Sequence, residues 1–160
     1  MKLIAVVLLM LIPYQLFGYV DLIKETRPVI TQDRAEDLDY LVRKYSKKHG
    51  VPSEISISVM WQESGFANGY SNVDLNPCSA GYMQILSTTG NMLAGRTITC
   101  SELITNYEKN IEMGIRYLSM KYEESGHWAG AIGLYNGINN LEYVKGVLDK
   151  WEKVMEYIND

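Results

Sequence analysis

The chain has 160 residues, 47% of them hydrophobic and 21% charged, enough to bury one core in one compact domain. Its formal net charge is −4 and it contains no block of lysine or arginine. An acidic domain of that kind has no electrostatic foothold for nucleic acid or anionic lipid, so the expected partner is neutral or polar.

Residues 1–18, MKLIAVVLLMLIPYQLFG, open with Lys2, run apolar from Leu3 to Ile12, break at Pro13 and end on the small residue Gly18. That is the layout of a secretory signal peptide. A retained anchor helix is the alternative, because no charge intervenes between Lys2 and Asp21. Pro13, Gln15 and the short apolar centre favour cleavage. Losing Lys2 would leave fourteen basic against nineteen acidic residues, a formal charge of −5. The mature protein is expected to be exported, to the periplasm or beyond.

Residues 19–31 contain Pro28 and show no helical period, so they read as an extended lead-in to a domain spanning 32–160. From Arg34 to His49, Leu38, Leu41, Val42 and Tyr45 recur at helical spacing, and Gly50 follows where a helix would stop. Pro52 suits a first helical turn. Beyond it Ile55, Ile57 and Val59 alternate with Ser56 and Ser58 as in a strand, while Ile55, Val59 and Gln62 also share one side of a helix. Periodicity leaves both open.

The stretch from Gly65 to Gly81 is rich in turn residues and reads as a loop or short hairpin. Asn106 to Ser125 forms the longest predicted helix, with Ile111, Ile115, Leu118 and Tyr122 in register and Gly126 ending it. WAGAIGLYNG, from Trp128, is nearly all apolar and predicts a short buried helix ending at Asn136 and Gly137. A last helix from about Leu141 to Ile158 turns Val144, Val147, Leu148, Trp151 and Val154 toward the core. The fold class is mainly α, with one irregular or small β insert after Glu63.

Cys78 and Cys100 are the only cysteines, and in an exported chain they are expected to pair. Closing that loop of about 23 residues would contribute about 3 kcal/mol in the chain-entropy model. Two buried thiols are the alternative. His49 and His127 are far apart, each suited to the surface or a helix cap, and no cluster has metal-ligand spacing, so no metal or cofactor is expected.

Glu63 stands in a stretch almost free of charge, and a carboxylate among apolar residues either reaches the surface or has its pKa raised. Three segments then follow in order: ESGF from Glu63, GYMQI from Gly81 and LYNG from Leu134. With them the chain resembles the lytic transglycosylases of the soluble type, over roughly Asp33 to Ile158. The resemblance implies a lysozyme-like helical fold that cleaves peptidoglycan glycan strands, and it implies a helix for the ambiguous segment before Glu63.

By the same resemblance Glu63 is the catalytic acid and base, and Ser64 its usual follower. Met83 and Gln84 take the floor and hydrogen-bonding positions of the sugar groove. Tyr135 is the tyrosine near the catalytic carboxylate, with Asn136 the adjacent polar residue. Met60, Met83 and Tyr135 are candidate walls for the acid's pocket. The implied reaction protonates the glycosidic oxygen and closes the muramic sugar on its own primary hydroxyl, leaving a 1,6-anhydro end.

A hydrolytic lysozyme would normally carry a second carboxylate. Related lysozymes place an aspartate where this chain has Ser79. Asp74, the one acid between Glu63 and Gly81, precedes LNPC, where aspartate more often makes a turn. Two further departures are Tyr82, where many relatives have leucine, and Asn72, where many have serine. A third possibility is a non-catalytic glycan-binding module. Tyr70, Tyr82 or Trp128, if exposed, could stack on sugar faces, whereas Tyr117 and Tyr122 suit the core or its flank.

Small exported proteins of this type often open the wall locally for secretion, conjugation or pilus machines, and some belong to phages. The expected partners are therefore glycan strands and such a machine, with the protein itself a monomer.

Overall fold

The computed structural model describes residues 18–71, 77–137 and 140–159. Among these, eight helices accompany a three-stranded antiparallel sheet of two-residue strands. The mainly α, lysozyme-like class expected from sequence is what forms.

Helix α1, Val20–Thr26, overturns the extended lead-in. Pro28 falls after the helix has ended at Arg27, so it terminates the segment without disrupting it. One turn of Leu22 and Ile23, both buried, was too short to register as a period. Tyr19, just ahead of it, is 1% exposed.

Helix α2, Gln32–His49, begins where the Thr31 hydroxyl accepts the Arg34 N–H at 3.3 Å and ends at Gly50 in the left-handed region. Helix α3, Ser53–Ser64, resolves the ambiguous segment as a helix. It buries six consecutive residues, Ile55 to Met60. A helix covered on most sides has no single apolar stripe, which is why its period could not be read. Its serines are satisfied in place: Ser46 Oγ donates to Ser56 Oγ at 2.7 Å, and Ser58 Oγ donates to the Glu54 carbonyl at 2.6 Å.

Strands β1 (Tyr70–Ser71) and β2 (Ser79–Ala80) form the expected short hairpin, with Tyr70 opposite Ala80. Strand β3 (Ile85–Leu86) pairs with β2, so Gly81–Gln84 is the turn between them. Helices α4 (Ser87–Ala94) and α5 (Cys100–Thr105) follow. Cys78 and Cys100 are disulfide-bonded across 6.2 Å of Cα separation, tying β2 to the start of α5.

Helix α6, Tyr107–Ser125, is capped by Asn106 and packs against α2 and α7 (Trp128–Tyr135). His127 caps α7, its Nδ1 accepting the Gly130 N–H at 3.0 Å. Helix α8, Leu141–Asn159, packs against α3 and α7 and buries Tyr143, Val144, Val147 and Val154. Trp151 corrects the expected core set. It lies in the same register yet stays 37% exposed, lining a surface groove with Met155.

Candidate active site

The turn Gly81–Gln84 is the hub of the site because its backbone is held from three helices at once. From α3, the Ser64 hydroxyl donates to the Tyr82 carbonyl at 2.7 Å. From α6, fully buried Asn110 accepts the Met83 N–H at 3.0 Å and donates to the Ala80 carbonyl at 2.8 Å. From α7, the Tyr135 hydroxyl donates to the Met83 carbonyl at 2.8 Å. Gly81 has φ +80, and a Cβ there would come within 2.4 Å of the Asn110 side chain, so two constraints select glycine. Gln84 also has positive φ, +44, with its Nε2 donating to the Gly81 carbonyl at 2.8 Å and the Gly69 carbonyl at 3.1 Å.

Glu63 occupies the last turn of α3, which Gly65 closes at φ 55. The chain then doubles back through Phe66, buried and stacked on Trp61 at 6.3 Å. Burial pushes the Glu63 carboxyl up from 4.5 to about 7, against a smaller opposing effect from the Tyr143 hydroxyl, which donates to Oε1. The C-terminal end of a helix also disfavours a negative charge, in the same direction as burial. Burial raises the Tyr143 hydroxyl as well, with the Glu63 charge next in weight, and the same two causes hold Tyr135 far above its ordinary range. Both phenols are therefore neutral donors at any pH where the protein works.

A cleft of about 210 Å³ opens over this group. Its lining includes Glu63, Gln84, Tyr135 and Asn136, joined by Ser79, Thr89 and Tyr117. Ser64 and Met83 are not part of that lining. The Ser64 hydroxyl is committed to the Tyr82 and Met60 carbonyls, and the Met83 side chain is fully buried against Gly114. Both hold the turn from behind, where a place on the floor of the sugar groove had been expected of Met83. Met60, proposed as a pocket wall, is likewise fully buried.

Tyr82 is not a stacking platform: it is 4% exposed and packs edge-on against Tyr107 at 6.2 Å. Trp128 is part-buried and stacks on Tyr122 at 4.1 Å. Tyr117, assigned to core or flank, lines the cleft and contacts Tyr135 at 5.4 Å between ring centres. Asn72, Asp74 and the side chain of Tyr70 lie outside the described residues. Among the described residues that line the cleft, Glu63 is the only acid, and no group of His, Cys, Asp and Glu is placed to hold a metal ion.

Tyr143 was missed by sequence reasoning, although a signal existed. It sits in the first turn of α8 beside Val144 and Val147, so its ring is buried and its hydroxyl must find a partner there. Asn140 starts the helix by accepting the N–H groups of Glu142 and Tyr143 at 3.1 and 3.3 Å.

A desolvated glutamate at the end of a buried helix, the only acid in the described lining of its cleft, thus sits in a lysozyme-like α domain. The family description of the transglycosylase SLT domain matches residues 40–153, which include every residue of the cleft, and the chain belongs to that family. Its family assignment carries a transglycosylase-type activity on peptidoglycan. Comparison with curated proteins finds no match. Among the described residues no helix is long and apolar enough to cross a membrane.

Proposed function

We propose that the protein is a lytic transglycosylase that cuts the β-1,4 bond between N-acetylmuramic acid and N-acetylglucosamine and leaves a 1,6-anhydromuramic end. The observation that carries this is Glu63, held near pKa 7 by burial with no second acid in the described cleft lining. One group must then serve both halves of the reaction, being neutral for the first and ionised for the second. A pKa near the working pH suits that alternation.

Because Tyr143 donates to Oε1, the acid proton resides on Oε2. In the first half Glu63 gives that proton to the glycosidic oxygen as the muramic C1–O bond breaks. N-acetylglucosamine leaves as the alcohol, and positive charge develops at C1. In the second half the carboxylate removes the proton of the sugar's own C6 hydroxyl as O6 bonds to C1, which restores the acid without consuming water. Asn136 offers an amide group and Tyr117 an aromatic face for seating the sugar, while Gln84, its Nε2 held by the Gly81 and Gly69 carbonyls, lines the same cleft. Tyr135, Ser64 and Met83 support the turn that carries Gln84. The proposed setting is the wall compartment of an exported protein, with local opening of the wall as its task.

Mass spectrometry of muropeptides after digestion of purified peptidoglycan tests this. Anhydro ends are expected. Reducing ends would assign hydrolysis instead, and equal digestion by wild type and Glu63→Gln would remove the assignment of Glu63.

A further inference from the structure

Near the start of the described residues a backbone N–H is bound to a carboxylate. Tyr19 N donates to Asp39 Oδ1 at 2.7 Å, and Asp39 keeps only 17% of its side chain exposed. The Tyr19 side chain belongs to the folded body. Its hydroxyl shares a hydrogen bond with Ser53 Oγ at 2.8 Å, and the Arg43 guanidinium lies 4.4 Å from its ring centre. Gly18 runs so close to the same carboxylate that a Cβ there would lie 3.1 Å from Asp39 Oδ2. The fold thus needs the chain from Tyr19 onward, and the residue just before it is the small one that ends the leader-like sequence.

We propose that the chain is cut between Gly18 and Tyr19, and that the amino group so released is received by the Asp39 carboxylate as an ion pair. A leader peptidase adds water across the peptide bond. Gly18 departs with the leader as a carboxylate, and the Tyr19 nitrogen gains protons to become an ammonium. The cut precedes folding, because in the folded chain Tyr19 is 1% exposed and its N–H is engaged. The nitrogen need not move afterwards: a neutral N–H donor becomes a cationic one at the same place, and charge-assisted hydrogen bonds are the stronger kind. The charged groups around Tyr19 are Asp39, which holds its N–H, and Arg43 of α2 and Glu54 of α3, which act on its side chain. Asp39 Oδ1 also accepts Arg43 Nε at 2.9 Å, so one carboxylate bridges two cations. None of this depends on the transglycosylase assignment.

Two measurements test it. Intact-mass analysis of the full chain exported by a secreting host is expected to return residues 19–160. A retained leader, or a terminus at any residue other than Tyr19, overturns the proposal. The second compares chains beginning at Tyr19 and at Gly18, each with and without Asp39→Asn, in denaturant unfolding at pH 6 and pH 10. An ammonium stabilised by the fold titrates above the ordinary α-amine range of about 7.7–8.0. Its contribution is complete below that range and lost as pH rises through the folded value. The folding constant of the Tyr19 chain should therefore fall by roughly threefold more than that of the Gly18 chain, on the scale of a partly buried ion pair. Asp39→Asn should erase the difference. Identical pH dependence in the two parent chains overturns the proposal even if the Asp39→Asn variants fail to fold.

Discussion

In the proposed reaction Glu63 links catalysis to stability through a single proton. Its carboxyl is raised from 4.5 to about 7 in the fold, so between those values the folded chain holds a proton that the unfolded chain has lost. Folding stability therefore falls as pH rises from about 4.5 to about 7, by up to about 3 kcal/mol at 1.36 kcal/mol per unit. Glu63→Gln has no proton to lose and keeps an amide oxygen for Tyr143. Urea unfolding should find it more stable than wild type at pH 8, by roughly 1–3 kcal/mol, with the advantage gone at pH 4. In the proposed reaction, proton donation by Glu63 should weaken as pH climbs past about 7. Tyr143→Phe removes the one hydrogen bond that lowers Glu63, so the alkaline limb of its pH–rate profile should move upward while the maximal rate drops. A profile that stays in place would show that Tyr143 does not act on the acid.

At the scale of elements, the Gly81–Gln84 turn connects helices that are distant in sequence. Asn110→Ala removes the acceptor of the Met83 N–H in the turn and a donor to the Ala80 carbonyl just ahead of it. The expected cost is about 2–4 kcal/mol in chemical denaturation, with a lower rate of glycan cleavage in the protein that remains folded. Gly114→Ala tests the same contact from the helix side, because its Cβ would sit 2.5 Å from the Met83 Cβ. Overpacking of that kind costs about 1–3 kcal/mol.

Sequence legibility also divides at this scale. Long amphipathic helices such as α2 and α6 announced themselves because one face is apolar and the other solvated. Helix α3 could not, since its serines are buried alongside its isoleucines. Helices α4 and α5 passed unnoticed, being eight and six residues long, one of them with Gly90 inside. Glu63, Gln84, Tyr135 and Asn136 were readable from motif resemblance and do meet at one cleft. Ser64 and Met83 belong to the same motifs but support the backbone, a distinction that depends on which way a side chain turns. Tyr143 lies eighty positions from Glu63, and no local pattern links a phenol to a carboxylate across that span.

For the whole molecule, the Cys78–Cys100 bond fastens the sheet to the helical segment between α4 and α6. Reduction should lower stability by about 3 kcal/mol, because it frees a closed loop in the unfolded chain. For a domain of this size that is roughly 6–12 °C in melting temperature, measurable by calorimetry with and without reductant.

The Met83 amide gives a way to follow the cleft without any substrate. Its acceptor, Asn110, has no exposed surface, and the Met83 carbonyl accepts the Tyr135 hydroxyl. Its deuterium uptake should therefore wait for the entire domain to open and match the slowest-exchanging amides of α6. In the wild-type chain the turn therefore has no melting step of its own, and its geometry is lost together with the fold.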